Sequence, residues 1–347
     1  MGPVEVLRDG KRLISFSCND YLNLTQHPDI KAAAIAATEK YGTGSGSSRL
    51  VTGNHPLYAE LESKLATFKG TEDACVFGSG YLANTGIIPA LTNSEDMVAV
   101  DELSHACIYA GAQLSAGAVH VFRHNDMDHL REILDTHRSK HPHALVVTDG
   151  VFSMDGNLAP VDLLSQIADE FDAWLMTDDA HGIGVVSGNK VSVPLQMGTL
   201  SKAIGAYGGY LCAARPVIDL IRTRCRTLIY STGLPPGVIA AASAAIDLIR
   251  DDPEYAALPL LKARAFTKAL GLAGATSPIV PIILGTTDKT MEASRLLQDE
   301  GFLVIAIRPP TVPDGTARLR VTFTAAHDDA DIQRLADILK TRVLRQT

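Results

Sequence analysis

The sequence predicts an α/β protein: a mostly parallel central sheet covered by helices, followed by a smaller α+β C-terminal domain. Two observations predict it. From about Tyr58 to Cys225, short runs that are apolar throughout alternate with stretches of helical period. That is the pattern of βαβ units whose strands are buried on both faces. Beyond Pro235-Pro236 the alternation gives way to a long helical stretch and to runs such as "IVPIILG". The chain is therefore divided into an N-terminal segment at 1–40, a large domain at 41–235 and a small domain at 236–347.

Each element has its own signal. "RLISFSCNDYLNL" reads as a strand running into an Asn-Asp turn. "HPDIKAAAIAATEKYG" reads as a helix stopped at Gly42. "TGSGSSRLVTGNH" has the Gly and Ser density of a loop. "HPLYAELESKLATFKG" is helical, with Leu57, Leu61, Leu65 and Phe68 on one face and a stop at Gly70. The strands then follow as "ACVFGSG", "MVAVD", "AVHVF", "ALVVTDG", "AWLMTDDAHG" and "GYLCAA", with helices such as "DMDHLREILDTHRS" and "VDLLSQIADEF" between them. After the Pro-Pro break, "GVIAAASAAIDLIRDD" is a long helix. "IVPIILG", "LLQDEGFLVIAI", "ARLRVTFTAAH" and a last helix complete the small domain.

Composition narrows the classes of function. With 347 residues, 46% of them hydrophobic, the chain has ample material for a core. A net charge of −8 argues against nucleic-acid or polybasic membrane binding. No apolar run reaches the roughly 18 residues of a membrane span, and the opening "MGPVEVLRDGKRL" lacks the apolar core of a signal peptide. The five cysteines, at 18, 75, 107, 212 and 225, show no C-x-x-C spacing and fit buried thiols in a reducing cytoplasm. A cytoplasmic protein is expected.

In a parallel sheet, ligands bind at the carboxyl ends of the strands, so the residues after each run are the candidates. Gly78-Ser79-Gly80-Tyr81 follows "ACVF" and opens a helix, whose first amides suit an anion such as phosphate. His105 follows "MVAVDELS". Asp178-Asp179-Ala180-His181 closes "AWLMT". Acids there are costly unless a cation answers them. They offer too few clustered ligands for a metal, and no metal site is expected. "HNDMDH" reads mainly as a helix cap and first turn. Lys202, in "GTLSKAIGAYGGY", is a lone cation among small residues. A P-loop, a G-x-G-x-x-G fingerprint and a G-x-S-x-G elbow are all missing. A ligand with a phosphate, a cationic ring nitrogen and an electrophile for an amine answers these groups together. Pyridoxal 5′-phosphate has all three, and a desolvated lysine is the side chain that captures its aldehyde. Asp178 would pair with the ring nitrogen and keep it able to take up electrons.

At motif level the chain resembles the α-oxoamine synthases. The resemblance rests on "SCNDYLNL", "GTGSGSSRLVTGNHPLYAELE", "VDELSHACI", "TDGVFSMDGNLAP", "MTDDAHGIGV", "TLSKAIGAYGGYL", "LIYSTGLPP" and "AIRPPTVPDGTARLRVTFTAAH", in order along nearly the whole sequence. It implies a fold-type I pyridoxal-phosphate transferase. It implies that Lys202 forms the Schiff base and moves the proton at the substrate Cα, that Asp178 holds the pyridine nitrogen and that His181 bonds the phenolic oxygen. His105 would stack on the ring and Ser153 lie near it, while Gly80, Tyr81 and Thr199 hold the phosphate. Thr232 would reach the phosphate of a neighbouring subunit, which implies a homodimer with shared sites. Asn19 and Arg320 would hold the amino-acid substrate.

The C-terminal motif most resembles the branch that condenses L-alanine with a pimeloyl thioester, on coenzyme A or acyl carrier protein, in biotin biosynthesis. Ser48 supports alanine: glycine-using relatives commonly have a threonine there, and serine leaves room for the substrate methyl. The sister activities on glycine are the alternative. A nicotinamide dehydrogenase and a non-catalytic cofactor-binding subunit are more remote. Family members usually carry a longer segment ahead of the first strand, and a longer one between His181 and Lys202. Both differences bear on the acyl-binding surface and neither touches the cofactor residues.

Overall fold

The computed structural model describes residues 2–186 and 193–344. The chain opens with a hairpin, β1 (Glu5–Arg8) and β2 (Lys11–Ser15), turned at Asp9-Gly10. Both turn residues have positive φ, 51° and 76°, the conformation for which Asp-Gly is favoured in a two-residue turn.

Seven strands then build the central sheet. They are β3 (Asp73–Phe77), β4 (Met97–Asp101), β5 (Ala118–Phe122), β6 (Ala144–Asp149), β7 (Trp174–Asp178), β8 (Leu195–Thr199) and β9 (Gly209–Ala213). Their order is β3-β9-β8-β7-β6-β4-β5. All run the same way except β9, which is antiparallel to both neighbours. The loop from Leu200 to Gly208 is too short for the helical crossover that a parallel return requires, so β8 and β9 pair as neighbours in sequence. β8 is absent from the apolar runs named above, because Gln196 and Gly198 interrupt it. It is fully buried all the same.

Alternate residues of the strands feed opposite faces. On one face Val76, Tyr210 and Cys212 pack with Leu61 and Leu65 of helix Pro56–Lys69 and with Ile239, Ala242 and Ile246 of helix Pro236–Asp251. On the other, Cys75, Phe77, Val147, Met197 and Leu211 meet Ala83 and Ile87 of helix Gly80–Leu91 and Ile218 and Ile221 of helix Arg215–Arg224. Each large apolar side chain buried in this way contributes about 1.5–3 kcal/mol of transfer free energy. Helix Pro56–Lys69 stops as its sequence predicts: Gly70 takes the left-handed conformation (φ 68°), and its amide bonds back to Ala66 and Thr67.

The smaller unit holds β10 (Ile279–Gly285), β11 (Phe302–Leu303), β12 (Ile305–Ile307) and β13 (Ala317–Thr322). β10-β13-β12 form an antiparallel sheet, and β1-β2-β11 form a second small one. Its core is aromatic, built from Phe16, Phe266, Phe302 and Phe323.

Two sets of contacts cross the boundaries drawn from the sequence. β2 pairs in parallel with β11, and the Thr322 amide donates to the Phe16 carbonyl. Residues set apart as an N-terminal segment therefore complete the small unit. Helix Pro236–Asp251, assigned to the small domain, shares the core of the large one. Its small and branched residues lie against helices Pro28–Tyr41 and Pro56–Lys69. Cys18 is exposed, and the other four cysteines are buried.

Candidate active site

The carboxyl ends of the strands bring the candidates together. β6 and β7 pair so that Asp149 stands beside Asp178, the last residue of each strand. Both are buried. Burial and the neighbouring Asp178 push the Asp149 carboxyl well above the usual range. One Asp149 oxygen accepts from the His105 amide at 2.9 Å. Asp178 accepts from Asn84 Nδ2 at 2.7 Å and from the Ala180 amide at 2.9 Å. Asp179 turns away and pairs with Lys69 at 2.7 Å. The two adjacent acids are thus separated: one sits in the site, and the other anchors the loop from behind.

His105 caps helix Ala106–Leu114, its Nδ1 accepting from the Cys107 amide at 3.3 Å and lying 2.8 Å from Cys107 Sγ. Burial lowers its pKa below the ordinary value, against the pull of Asp178. His181 is buried, with Nδ1 2.7 Å from the Tyr21 hydroxyl. Burial first, then the positive charges of Lys202 and Arg320, hold it well below the ordinary histidine range. Both shifts favour the neutral imidazole.

Lys202 lies in the β8–β9 loop and is half-buried. Burial depresses the ammonium below its ordinary range, and Asp178 and Asp149 oppose that shift. A lysine so placed yields a free amine more readily than one in water. Beside it, Ser79 caps helix Gly80–Leu91 by accepting from the Leu82 amide at 3.1 Å. The Thr199 hydroxyl bonds Ser201 Oγ and the Gly208 carbonyl, each at 2.8 Å. Space is tight here. A Cβ on Gly80 would meet Thr199 at 3.4 Å, and one on Gly209 would stand 2.5 Å from the Ser79 carbonyl. Backbone amides at a helix start, two hydroxyls and no bulk make a cradle for a phosphate. An acceptor carboxylate, a depressed amine and this cradle together fit pyridoxal 5′-phosphate.

The substrate side is built from distant residues. Arg320 on β13 is 7% exposed and pairs with no carboxylate among the described residues. Its Nη1 and Nη2 each donate to Asn19 Oδ1 at 3.1 Å, and its Nε donates to the Ser153 carbonyl. Buried guanidinium groups are costly without a counter-ion, so this one is poised for an incoming carboxylate. Ser48 and Thr232 form an isolated bridge, and the Gly233 amide donates to the Ser47 carbonyl at 2.9 Å. Ser48 therefore lies beside the exposed Thr232. Tyr81 is 55% exposed at the start of its helix. The interval between His181 and Lys202 includes residues 187–192, which lie outside the described residues.

Sequence reasoning missed Tyr21, Asn84, Cys107 and Asp149. Asp149 alone had a signal, an acid ending the apolar run "ALVVT" as Asp178 ends "AWLMT". In "HNDMDH", Asp126 does cap its helix, accepting from the His129 amide at 2.9 Å. His124 instead turns inward, 3.0 Å from Asp101 and 2.6 Å from Asn157.

Comparison with known proteins gives a consistent picture. The family description Aminotransferase class I and II matches residues 11–339. An 8-amino-7-oxononanoate synthase of Methylocella silvestris is 61% identical over 97% of this chain and 99% of its own length. One of Granulibacter bethesdensis is 58% identical over 96% and 89%. Among solved structures, a serine palmitoyltransferase variant of S. paucimobilis with a bound PLP–myriocin adduct superposes with a TM-score of 0.93 at 32% identity, covering 98% of this chain and 89% of that one. An 8-amino-7-oxononanoate synthase of Francisella tularensis superposes at 0.82 with 25% identity, over 96% and 98%.

Proposed function

The chain belongs to the class I and II aminotransferase family, and from that premise we propose that it makes 8-amino-7-oxononanoate. It condenses L-alanine with a pimeloyl thioester, releasing carbon dioxide and the free thiol, as a step of biotin biosynthesis. Its cofactor is pyridoxal 5′-phosphate, on a fold-type I frame. The observation that carries the reading is identity of about 60% over nearly the full length with synthases of that name. The unpaired Arg320 beside Lys202 and Asp178 supports it, because it supplies what an amino-acid substrate needs.

When bound, the cofactor takes up the electron pair left as the substrate Cα loses its proton. The residues of the chain do the rest. Asp178, its oxygens oriented by Asn84 and Ala180, would hold the ring nitrogen. Ser79, Gly80, Tyr81 and Thr199 would hold the phosphate. His105 would lie against the ring and His181 would bond its phenolic oxygen. Arg320, with Asn19 and the Ser153 carbonyl fixing its plane, would hold the alanine carboxylate by its charge and by the guanidinium hydrogens those bonds leave free. Lys202, its pKa lowered first by burial, would capture the aldehyde and then carry the proton to and from Cα.

Two chains would complete the sites. Leu50, Val51 and Tyr230 are 66%, 72% and 75% exposed. They flank the Ser48–Thr232 bridge, and Leu50 also lines a hollow of about 320 Å³ with Arg49, Arg222 and Ile229. Apolar surface of this kind beside a site residue suits a second copy. No helix among the described residues is long and apolar enough to cross a membrane, and a cytoplasmic place, with the acyl group on coenzyme A or acyl carrier protein, fits the substrates.

The test is release of thiol from a matrix of alanine, glycine and serine against pimeloyl, succinyl, acetyl and palmitoyl thioesters. The alanine–pimeloyl pair should have the highest kcat/KM. A higher value for glycine with a short acyl group would move the chain to a sister activity.

A further inference from the structure

The pair formed by Tyr21 and His181 determines where a proton sits. Both side chains are buried, and Tyr21 Oη lies 2.7 Å from His181 Nδ1. Among the described residues the hydroxyl has one further acceptor in reach, Asn19 Oδ1 at 3.4 Å. That oxygen already accepts from Nη1 and Nη2 of Arg320, which fills both lone pairs of an amide carbonyl. The Tyr21 proton is therefore left for Nδ1. A neutral imidazole carries one proton, and with Nδ1 accepting it must sit on Nε2.

We propose that Tyr21 is a positioning residue for the reaction: its hydroxyl locks His181 as the imidazole protonated on Nε2, which donates to an oxygen of the bound cofactor. The inference rests on the reading of His181 as a cofactor contact. Tyr21 suits the task. Burial pushes its phenol up to about 12, so it remains a donor wherever the fold stands. Its carbonyl accepts from the Ala325 amide at 2.7 Å, which holds the residue from the small-unit side. The charged and titratable groups around His181 act in the same direction. Lys202, Arg320 and His105 all disfavour a second proton on the ring. The nearby acids are engaged elsewhere, Asp178 with Asn84 and Asp179 with Lys69.

The experiment reads histidine nitrogen shifts in the cofactor-free chain by ¹⁵N NMR. Wild type should show His181 Nδ1 as an unprotonated acceptor and Nε2 protonated, unchanged through the ordinary histidine range. Tyr21→Phe keeps the ring and removes the donor. Its His181 shifts should move toward a tautomer average and begin to titrate at higher pH, because the lost bond favoured the neutral form. A proton on Nδ1 in wild type, or unaltered shifts in Tyr21→Phe, overturns the proposal.

A second pair of variants reads the holoprotein without using turnover. His181→Gln places an amide nitrogen near the Nε2 position, and His181→Asn places one near Nδ1. The cofactor absorbance of the Gln variant should keep the wild-type pH dependence, and that of the Asn variant should shift. The reverse order, or a cofactor spectrum indifferent to both, overturns the positioning role. Failure of the reaction assignment would show instead in the thiol-release matrix, with these spectra unchanged.

Discussion

The two sides of the pocket differ in how far one chain completes them. On the strand-end side, Asp178, Asp149, His105 and His181 each have polar partners within the chain, and Asp178, Asp149 and His181 are buried. On the loop side, Ser48 is half-buried, Thr232 and Tyr81 are exposed, and Leu50, Val51 and Tyr230 face outward. The difference teaches a division of labour. Groups that hold charge and move protons must be desolvated and fixed before substrate arrives, and one chain can do that. Ser48, proposed to choose between substrates, and Thr232, proposed to reach a phosphate, stand at a surface that a second chain would cover.

Substitutions on the finished side should cost the most. Lys202→Ala removes the amine proposed to capture the cofactor aldehyde and to move the Cα proton. The second role alone contributes about 10²–10⁴-fold. Near-complete loss of turnover is expected, together with loss of the yellow cofactor that borohydride fixes to Lys202. A variant with normal turnover would remove Lys202 from the chemistry.

Asp178→Asn should come next, lowering kcat about 10²–10³-fold with the phosphate cradle intact. Asp179→Asn is its control. It breaks the Lys69 pair behind the loop and should cost about 1–3 kcal/mol of stability with a smaller loss in kcat. Thermal melts and steady-state rates on both variants separate the two acids. A larger kcat loss for Asp179→Asn would reverse their roles.

On the exposed side the effects are smaller and concern choice. Ser48→Thr adds one methyl where the substrate methyl is expected. It should reduce the preference for alanine over glycine by about 10–200-fold in kcat/KM. Because Ser48 and Thr232 sit together, the same surface should set assembly. Sedimentation should find a dimer that bound cofactor stabilises by linkage. A fully active monomer would undo the comparison from which these expectations start.

The smallest effect on turnover is expected from His327, in the small unit. It is 1% exposed, accepts from the Thr324 amide and contacts the Ser15 carbonyl. Burial lowers its pKa from 6.5 to about 4. As pH falls through that window the unfolded chain takes a proton that the fold refuses, so stability drops. At about 1.4 kcal/mol per pH unit the loss approaches about 3 kcal/mol by the lower end. The melting temperature of wild type should fall across that interval, and His327→Gln should flatten the fall without changing neutral-pH activity.

How much of this was legible depends on range. Helix Pro56–Lys69 and strands β4, β6 and β7 could be read because period and apolar content are local properties. β8 was not, since its glutamine and glycine are buried by neighbours that the segment does not itself encode. The reversed direction of β9 was hidden for a related reason. A strand buried on both faces is apolar whichever way it runs. In the site, Asp178, His181 and Lys202 were legible because each sits in a short motif. Tyr21, Asn84 and Cys107 were not, because a tyrosine in an N-terminal turn and an asparagine inside a helix gain meaning only from partners that the fold supplies.

The bond between Asn19 and Arg320 spans 301 positions of sequence. During synthesis the loop that carries Lys202 and the strand that ends at Asp178 emerge long before residue 320 does. Loops of such length close late, and domains fold in the order in which they emerge. A nascent chain can therefore assemble the cradle and the lysine while its carboxylate clamp does not yet exist. Within a single chain, the corner proposed to hold the amino acid is thus the last part of the pocket to be synthesised.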